Sequence, residues 1–162
     1  MNDRSTLSRR AWIVSMGRAL TAGLALMTVL PEDALAAPAT KLTVYKDPSC
    51  GCCTKWVAHL RANGFTPEVH DRSDMDALKD TLGVPAALRS CHTAVAGKYV
   101  VEGHVPASDI KRLLTTRPKD VIGIAVPDMP AGSPGMEVAG QADRYDVIAF
   151  SATGTTRTFG KH

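Results

Sequence analysis

Little in this chain points to a polymeric partner. Its 162 residues carry 19 basic and 16 acidic side chains, a net of +3, and only 5% are aromatic. No basic run is interleaved with aromatics, so the charge bias is too small to argue for nucleic acid. No internal repeat and no low-complexity tract occurs, which excludes solenoids and fibres. One uncharged apolar run, residues 19–30 (ALTAGLALMTVL), has 12 residues. That is too short to span a bilayer, so stable membrane insertion is not expected. Cysteine is scarce at 4. Three of these, Cys50, Cys52 and Cys53, are crowded at one turn, whereas a stabilising framework would spread its cysteines to close long loops.

What is present at the N-terminus reads as a targeting segment. Arg4, Arg9, Arg10 and Arg18 form a basic region ahead of the apolar run, and Ala34-Leu35-Ala36 is an A-x-A cleavage signal. The expectation is a signal peptide over 1–36, cleavage after Ala36 and export to the periplasm, leaving a domain over 37–162. Residues 8–13 (SRRAWI) also resemble a twin-arginine signal; the plainer alternative is an ordinary secretory signal that carries two arginines. The remaining chain keeps 15 basic and 13 acidic residues.

Along that domain, residues 41–46 (KLTVYK) read as a strand and 54–63 as a helix closed by Gly64. A second strand is expected over 66–70 and a helix over 74–82, capped by Asp71 or Ser73. A helical turn over 86–90 follows the Gly83-Val84-Pro85 break. Strands over 93–96 and 99–102 turn at Gly97-Lys98, and a helix over 107–116 is ended by Pro118. The stretch from Val121, rich in proline and glycine, reads as an ordered loop on the domain surface, followed by strands over 145–150 and 155–159. Strand, helix, strand, helix, hairpin, helix, with a C-x-x-C pair on the first strand-to-helix turn, resembles the thioredoxin fold. The fold class expected is α/β, thioredoxin-like, with a C-terminal Pro/Gly-rich loop and a β-hairpin extension.

The organising stretch is Cys50-Gly51-Cys52-Cys53. At a helix N-terminus, free N–H groups and the helix dipole favour a thiolate, which is both a nucleophile and a soft-metal ligand. In a thioredoxin-like chain the loop before the third strand lies against this turn, so Cys91 should approach the cluster. Adjacent Cys52 and Cys53 would be strained on one tetrahedral zinc ion. Cu(I) accepts two or three thiolates and tolerates bridging sulfur, which suits a multinuclear Cu(I) site; zinc ranks second. An Fe–S cluster ranks third, because its usual spacings are wider than C-x-C-C. His92, next to Cys91, and His104, at a strand end, read either as metal ligands or as polar strand termini. Met129 and Met136 offer thioethers or pack the loop; His59 and His70 read as surface residues. Trp56 reads equally as a shield for the site and as a core residue, and Lys55 as a solvated helix charge.

Three segments carry a family resemblance: TVYKDPSCGCCTKWVAHLRANGF, GVPAALRSCHTAVAGKYVVEGHVPASDIKRLL and VPDMPAGSPGME. They resemble the CopG-type periplasmic copper-resistance proteins, from Leu42 to Phe159. The resemblance implies a cysteine-bridged copper cluster and a role in binding or interconverting Cu(I) and Cu(II). Carried over by motif, the ligands would be Cys50, Cys52, Cys53 and Cys91, with His92 and His104 as neighbours. Partners would be copper ions and other periplasmic copper-handling proteins.

The competing reading is a thiol–disulfide oxidoreductase using Cys50 and Cys53. Against it, the position before the third strand, where such enzymes carry a cis-proline beside the peptide groove, holds Cys91-His92, and Pro85 is several residues too early. A disulfide-bonded module without chemistry is the third reading, and the crowding of thiols argues against it.

Overall fold

The computed structural model describes residues 40–162, so the expected signal peptide lies outside the described residues. Chain order is β1 (Thr40–Lys46), α1 (Gly51–Ala62), β2 (Phe65–Asp71), α2 (Met75–Thr81), a 3-10 turn (Ala86–Leu88), β3 (His92–Ala96), β4 (Tyr99–Glu102), α3 (Ala107–Thr116), β5 (Gly123–Ala125), β6 (Asp146–Phe150) and β7 (Thr156–Lys161). The strands form one seven-stranded sheet in the order β2-β1-β3-β4-β5-β6-β7. β1 and β2 are parallel, and the β3–β4 hairpin joins β1 antiparallel. This mixed α/β topology is compatible with the thioredoxin-like expectation. Among the described residues no helix is long and apolar enough to cross a membrane.

Period-two alternation divides the sheet between two apolar clusters. On one face Leu42, Val44, Ala94, Ala96, Val101 and Ile124 meet Trp56, Val57 and Leu60 of α1 and Ile110 and Leu113 of α3. On the other, Val100, Ala125 and Phe150 pack with Val84 and Leu88 of the α2-to-β3 connection. His92 starts β3 in the same phase as Ala94 and Ala96, so its ring turns into the α1 face.

Three local expectations are corrected. Helix α1 begins at Gly51, not at residue 54, because Cys50 caps it: the Cys50 sulfur accepts from the Cys53 N–H at 3.4 Å. The cap of α2 is Asp74, not Asp71 or Ser73. The stretch read as loop after Val121 contains β5, which pairs parallel with β4 and antiparallel with β6. A glycine is required there, since a Cβ on Gly123 would lie 2.4 Å from the Phe150 ring and 2.6 Å from the Val100 carbonyl.

Candidate metal centre

The turn after β1 and the start of β3 bring all four cysteines together. The sulfurs of Cys50, Cys52, Cys53 and Cys91 lie within 4.8 Å of one another. Cys50 and Cys53 form a disulfide, while Cys52 and Cys91 are free thiols. Cys52 Sγ is 3.5 Å from Cys50 Sγ and 3.8 Å from Cys91 Sγ. No acidic residue occupies the first turn of α1, so no carboxylate competes for its free N–H groups.

Cys91 also touches two imidazoles. Its sulfur is 3.3 Å from His92 Nδ1 and 3.1 Å from His104 Nε2. Both rings are fully buried and meet edge to face at 4.9 Å. The tautomer of His104 follows from its other contact: Nδ1 lies 2.8 Å from the Pro134 carbonyl, which can only accept. Nδ1 therefore carries the proton, and Nε2 presents a lone pair toward Cys91. A histidine whose far nitrogen is tied to a carbonyl is oriented as metal-ligating histidines usually are.

The Pro/Gly-rich loop supplies that carbonyl because it presses directly on α1. A Cβ on Gly135 would lie 2.8 Å from the Trp56 nitrogen and 2.9 Å from the Cys52 carbonyl, and its φ of +89° also favours glycine. Trp56 takes the core role read for it, and its ring lies beside a candidate ligand. It is fully buried in the core, its Nε1 donates to the Val105 carbonyl at 2.9 Å, and its ring lies 4.3 Å from that of His92.

Burial favours the uncharged forms of Cys91, His92 and His104 when no metal is bound. Burial, then the neighbouring Cys52, pushes the Cys91 thiol up to about 12, so a metal ion would have to displace its proton. Cys91 sits on the opposing loop and not at the N-terminus of α1, where free N–H groups would favour a thiolate. Burial holds His92 well below the usual imidazole value, helped by His104 and Lys79. Burial likewise lowers His104, partly offset by its bond to Pro134. The unfolded chain would therefore bind protons below about pH 6.5 that the native fold resists. Stability of the metal-free protein is expected to fall as pH drops through that value, by up to about 1.4 kcal/mol per pH unit for each histidine. Denaturant unfolding at pH 7.5 and 5.5 checks this; equal stability at both would contradict it, and His104→Gln should flatten the slope.

Behind Cys91 lies a polar network that no sequence pattern announces. Lys79 of α2 and Glu102 of β4 form a buried ion pair on the opposite face of the sheet. Glu102 also accepts from the Thr93 hydroxyl at 2.6 Å and from the Ser90 backbone N–H at 2.7 Å. Ser90 precedes Cys91, so this carboxylate anchors the cysteine loop. Arginine and lysine are common on helix surfaces, and nothing in the spacing of Lys79 marks it as buried.

The remaining candidates fall outside the centre. His70 and Lys55 are exposed, as expected of surface residues. His59, also read as a surface residue, is half-buried, and its Nε2 accepts from the Ala107 N–H at the start of α3 at 3.1 Å. Met129 is exposed beside a surface cavity lined by Pro127, Asp128 and Tyr145, with no cysteine among its walls. Met136 is half-buried.

Two solved structures, both of the copper resistance protein CopG (Form 1 and Form 2), are similar to this chain. Each is 44% identical with a TM-score of 0.72; each covers 76% of this chain, which in turn spans 98% of Form 2 and 97% of Form 1. A family model described as a protein of unknown function, DUF411, matches residues 88–136, the part that carries Cys91, His92, His104 and the Pro/Gly-rich loop. No curated protein matches the chain.

Proposed function

Because the chain belongs to the family of the copper resistance protein CopG, we propose that it is an exported copper-binding protein that holds Cu(I) on Cys50, Cys52, Cys53 and Cys91, with His92 and His104 completing the site. The observation that carries this reading is the convergence of three segments of the chain, the turn of Cys50 to Cys53, the Cys91-His92 pair and His104, which groups four sulfurs together and sets two buried imidazoles beside the Cys91 sulfur. Thiolates are soft ligands and suit Cu(I), and buried imidazoles held neutral need lose no proton to ligate. The disulfide ties up two of the four sulfurs, so reduction of Cys50–Cys53 is needed before all four can bind.

More than one Cu(I) is expected per chain in the reduced protein, with Cu(I) outcompeting Zn(II). Adjacent Cys52 and Cys53 bridge several ions more readily than they share one tetrahedral ion. Anaerobic titration against a chromophoric chelator measures this; an endpoint at one equivalent, or preference for zinc, would reject the multinuclear site. Interconversion of Cu(I) and Cu(II) is part of the same reading.

The disulfide favours a second reading, thiol–disulfide exchange at Cys50 and Cys53. It leaves the two buried imidazoles beside Cys91 without a role.

Export is the remaining element. The basic region, the short apolar run and the A-x-A motif support a mature protein that begins at Ala37 in the periplasm. N-terminal sequencing of natively produced protein should read from Ala37; recovery of an intact N-terminus in the cytoplasm would reject export.

A further inference from the structure

The six residues assigned to copper do not form one uniform cage. Four sulfurs group together, and separately Cys91 Sγ, His92 Nδ1 or Nε2 and one His104 nitrogen lie within 4.8 Å of one another. Cys91 alone belongs to both groups. In the disulfide form the first group has lost Cys50 and Cys53, whereas the second keeps every donor.

The second group is also the one with unmet polar capacity. His104 Nε2 directs a lone pair at Cys91, since Nδ1 donates to Pro134. His92 Nδ1 faces the same sulfur, and His92 Nε2, fully buried, has no hydrogen-bond partner. A thiol has one proton to give, so it cannot serve lone pairs on both rings. If His92 instead donates through Nδ1, its Nε2 lone pair is the one left without a partner. Either way one buried imidazole nitrogen is unsatisfied, a condition that normally calls for an explanation. A cation between the two rings and the sulfur would take the lone pairs of His92 Nδ1, His104 Nε2 and the Cys91 thiolate, so the rings would no longer compete for one thiol proton, and only the His92 Nε2–H would stay without a partner.

The spacing and chemistry suit a borderline divalent ion. At metal–sulfur and metal–nitrogen bonds of about 2.3 and 2.0–2.1 Å, a tetrahedral site places sulfur and nitrogen about 3.5 Å apart. The observed 3.3 and 3.1 Å are close to this edge. Two imidazoles and one thiolate are ligands for Zn(II), Co(II) or Cu(II), and are less soft than an all-sulfur set.

We propose that Cys91, His92 and His104 form a mononuclear site for a borderline divalent cation that is complete in the disulfide form of the protein. This deepens the copper reading and rests on it for the Cu(I) site, with which it shares Cys91. Reduction of Cys50–Cys53 by an external dithiol, which gives two electrons and two protons and is itself oxidised to a disulfide, would then switch the centre from one divalent ion on a nitrogen-rich set to several Cu(I) ions on a sulfur-rich set.

The test uses Co(II), whose spectrum reports ligand type and geometry, with protein in which thiol counting confirms two free thiols. Expected is one equivalent of Co(II), tetrahedral d–d bands, a thiolate-to-cobalt charge-transfer band, and displacement by Zn(II). Cys91→Ser should abolish the charge-transfer band and Cys52→Ser should keep it. His104→Gln should weaken binding at least about 10-fold. Circular dichroism confirms that each variant folds. A spectrum without thiolate charge transfer, a band that depends on Cys52 but not on His104, or binding only after disulfide reduction would each overturn the proposal. Cu(I) capacity of the reduced protein is titrated alongside, so failure of the Co(II) site and failure of the Cu(I) site are separate results.

Discussion

Cys91→Ser is expected to fold normally yet, in the reduced protein, to bind fewer Cu(I) ions and to bind them at least about 10-fold more weakly. Serine is nearly the same size as cysteine but offers a hard, weakly acidic oxygen, so the change tests ligand softness and leaves packing almost intact. In the structure Cys91 contacts the Cys52 sulfur and both imidazoles, so losing it removes the one sulfur that joins all the candidate ligands. Cys52→Ser should have a similar effect on Cu(I), because its sulfur lies between those of Cys50 and Cys91. Thiol–disulfide exchange predicts otherwise. It needs one attacking and one resolving thiol, so Cys50 and Cys53 would suffice and both serine variants would keep most activity on a disulfide substrate. Chelator-competition titration and a disulfide-reduction assay on the same variants decide between them. Unchanged Cu(I) binding in Cys91→Ser, with reductase activity that depends on Cys50 and Cys53 alone, would favour the oxidoreductase.

The meeting of Cys91 with the CGCC turn is legible in the amino-acid sequence, because alternating strands and helices restrict how β1 and β3 can pair, and the loop between α2 and β3 then has one place to go. Local signals are strong where a single residue stops an element. Strand β4 and helix α3 have the expected bounds, 99–102 and 107–116, the latter ended by Arg117 in a left-handed conformation just before Pro118. They are weak where the stabilising partner is remote. The three residues of β5 carry no alternation of their own and exist as a strand because Val100 and Phe150 flank them. The start of α1 escapes the sequence pattern because a cysteine sulfur, an uncommon cap, does the work usually done by Ser, Thr, Asp or Asn. The disulfide is one of several pairings that the cysteine spacing leaves open. The tie between His104 and Pro134 spans 30 residues of chain and is invisible in either segment alone.

Glu102→Ala should be the most damaging substitution away from the sulfurs, lowering stability by about 3–5 kcal/mol, because it leaves the Lys79 ammonium buried without its partner. Burial pushes the Glu102 carboxyl up, against the opposing pull of Lys79, Thr93 and Ser90. Removing it also strips the acceptor from the Thr93 hydroxyl and the Ser90 N–H. A fully buried donor left unpaired, as the Thr93 hydroxyl would be, costs about 1–3 kcal/mol. Replacing both charges, as in Lys79→Met with Glu102→Leu, should cost less than the single change, since no isolated charge remains, but the Ser90 N–H still lacks its acceptor. The two variants therefore separate stability from positioning. Urea unfolding of metal-free protein should rank wild type above the double variant and the double variant above Glu102→Ala. Both variants should expose Cys91 to thiol reagents faster than wild type, because the Ser90 anchor of its loop is gone in each. A loss below about 1 kcal/mol in Glu102→Ala would mean that the pair is solvated or replaced in solution. Unaltered Cys91 reactivity in the double variant would mean that the loop is held from elsewhere, with the Ser90 hydroxyl bond to the Asp128 carbonyl as the next contact to cut.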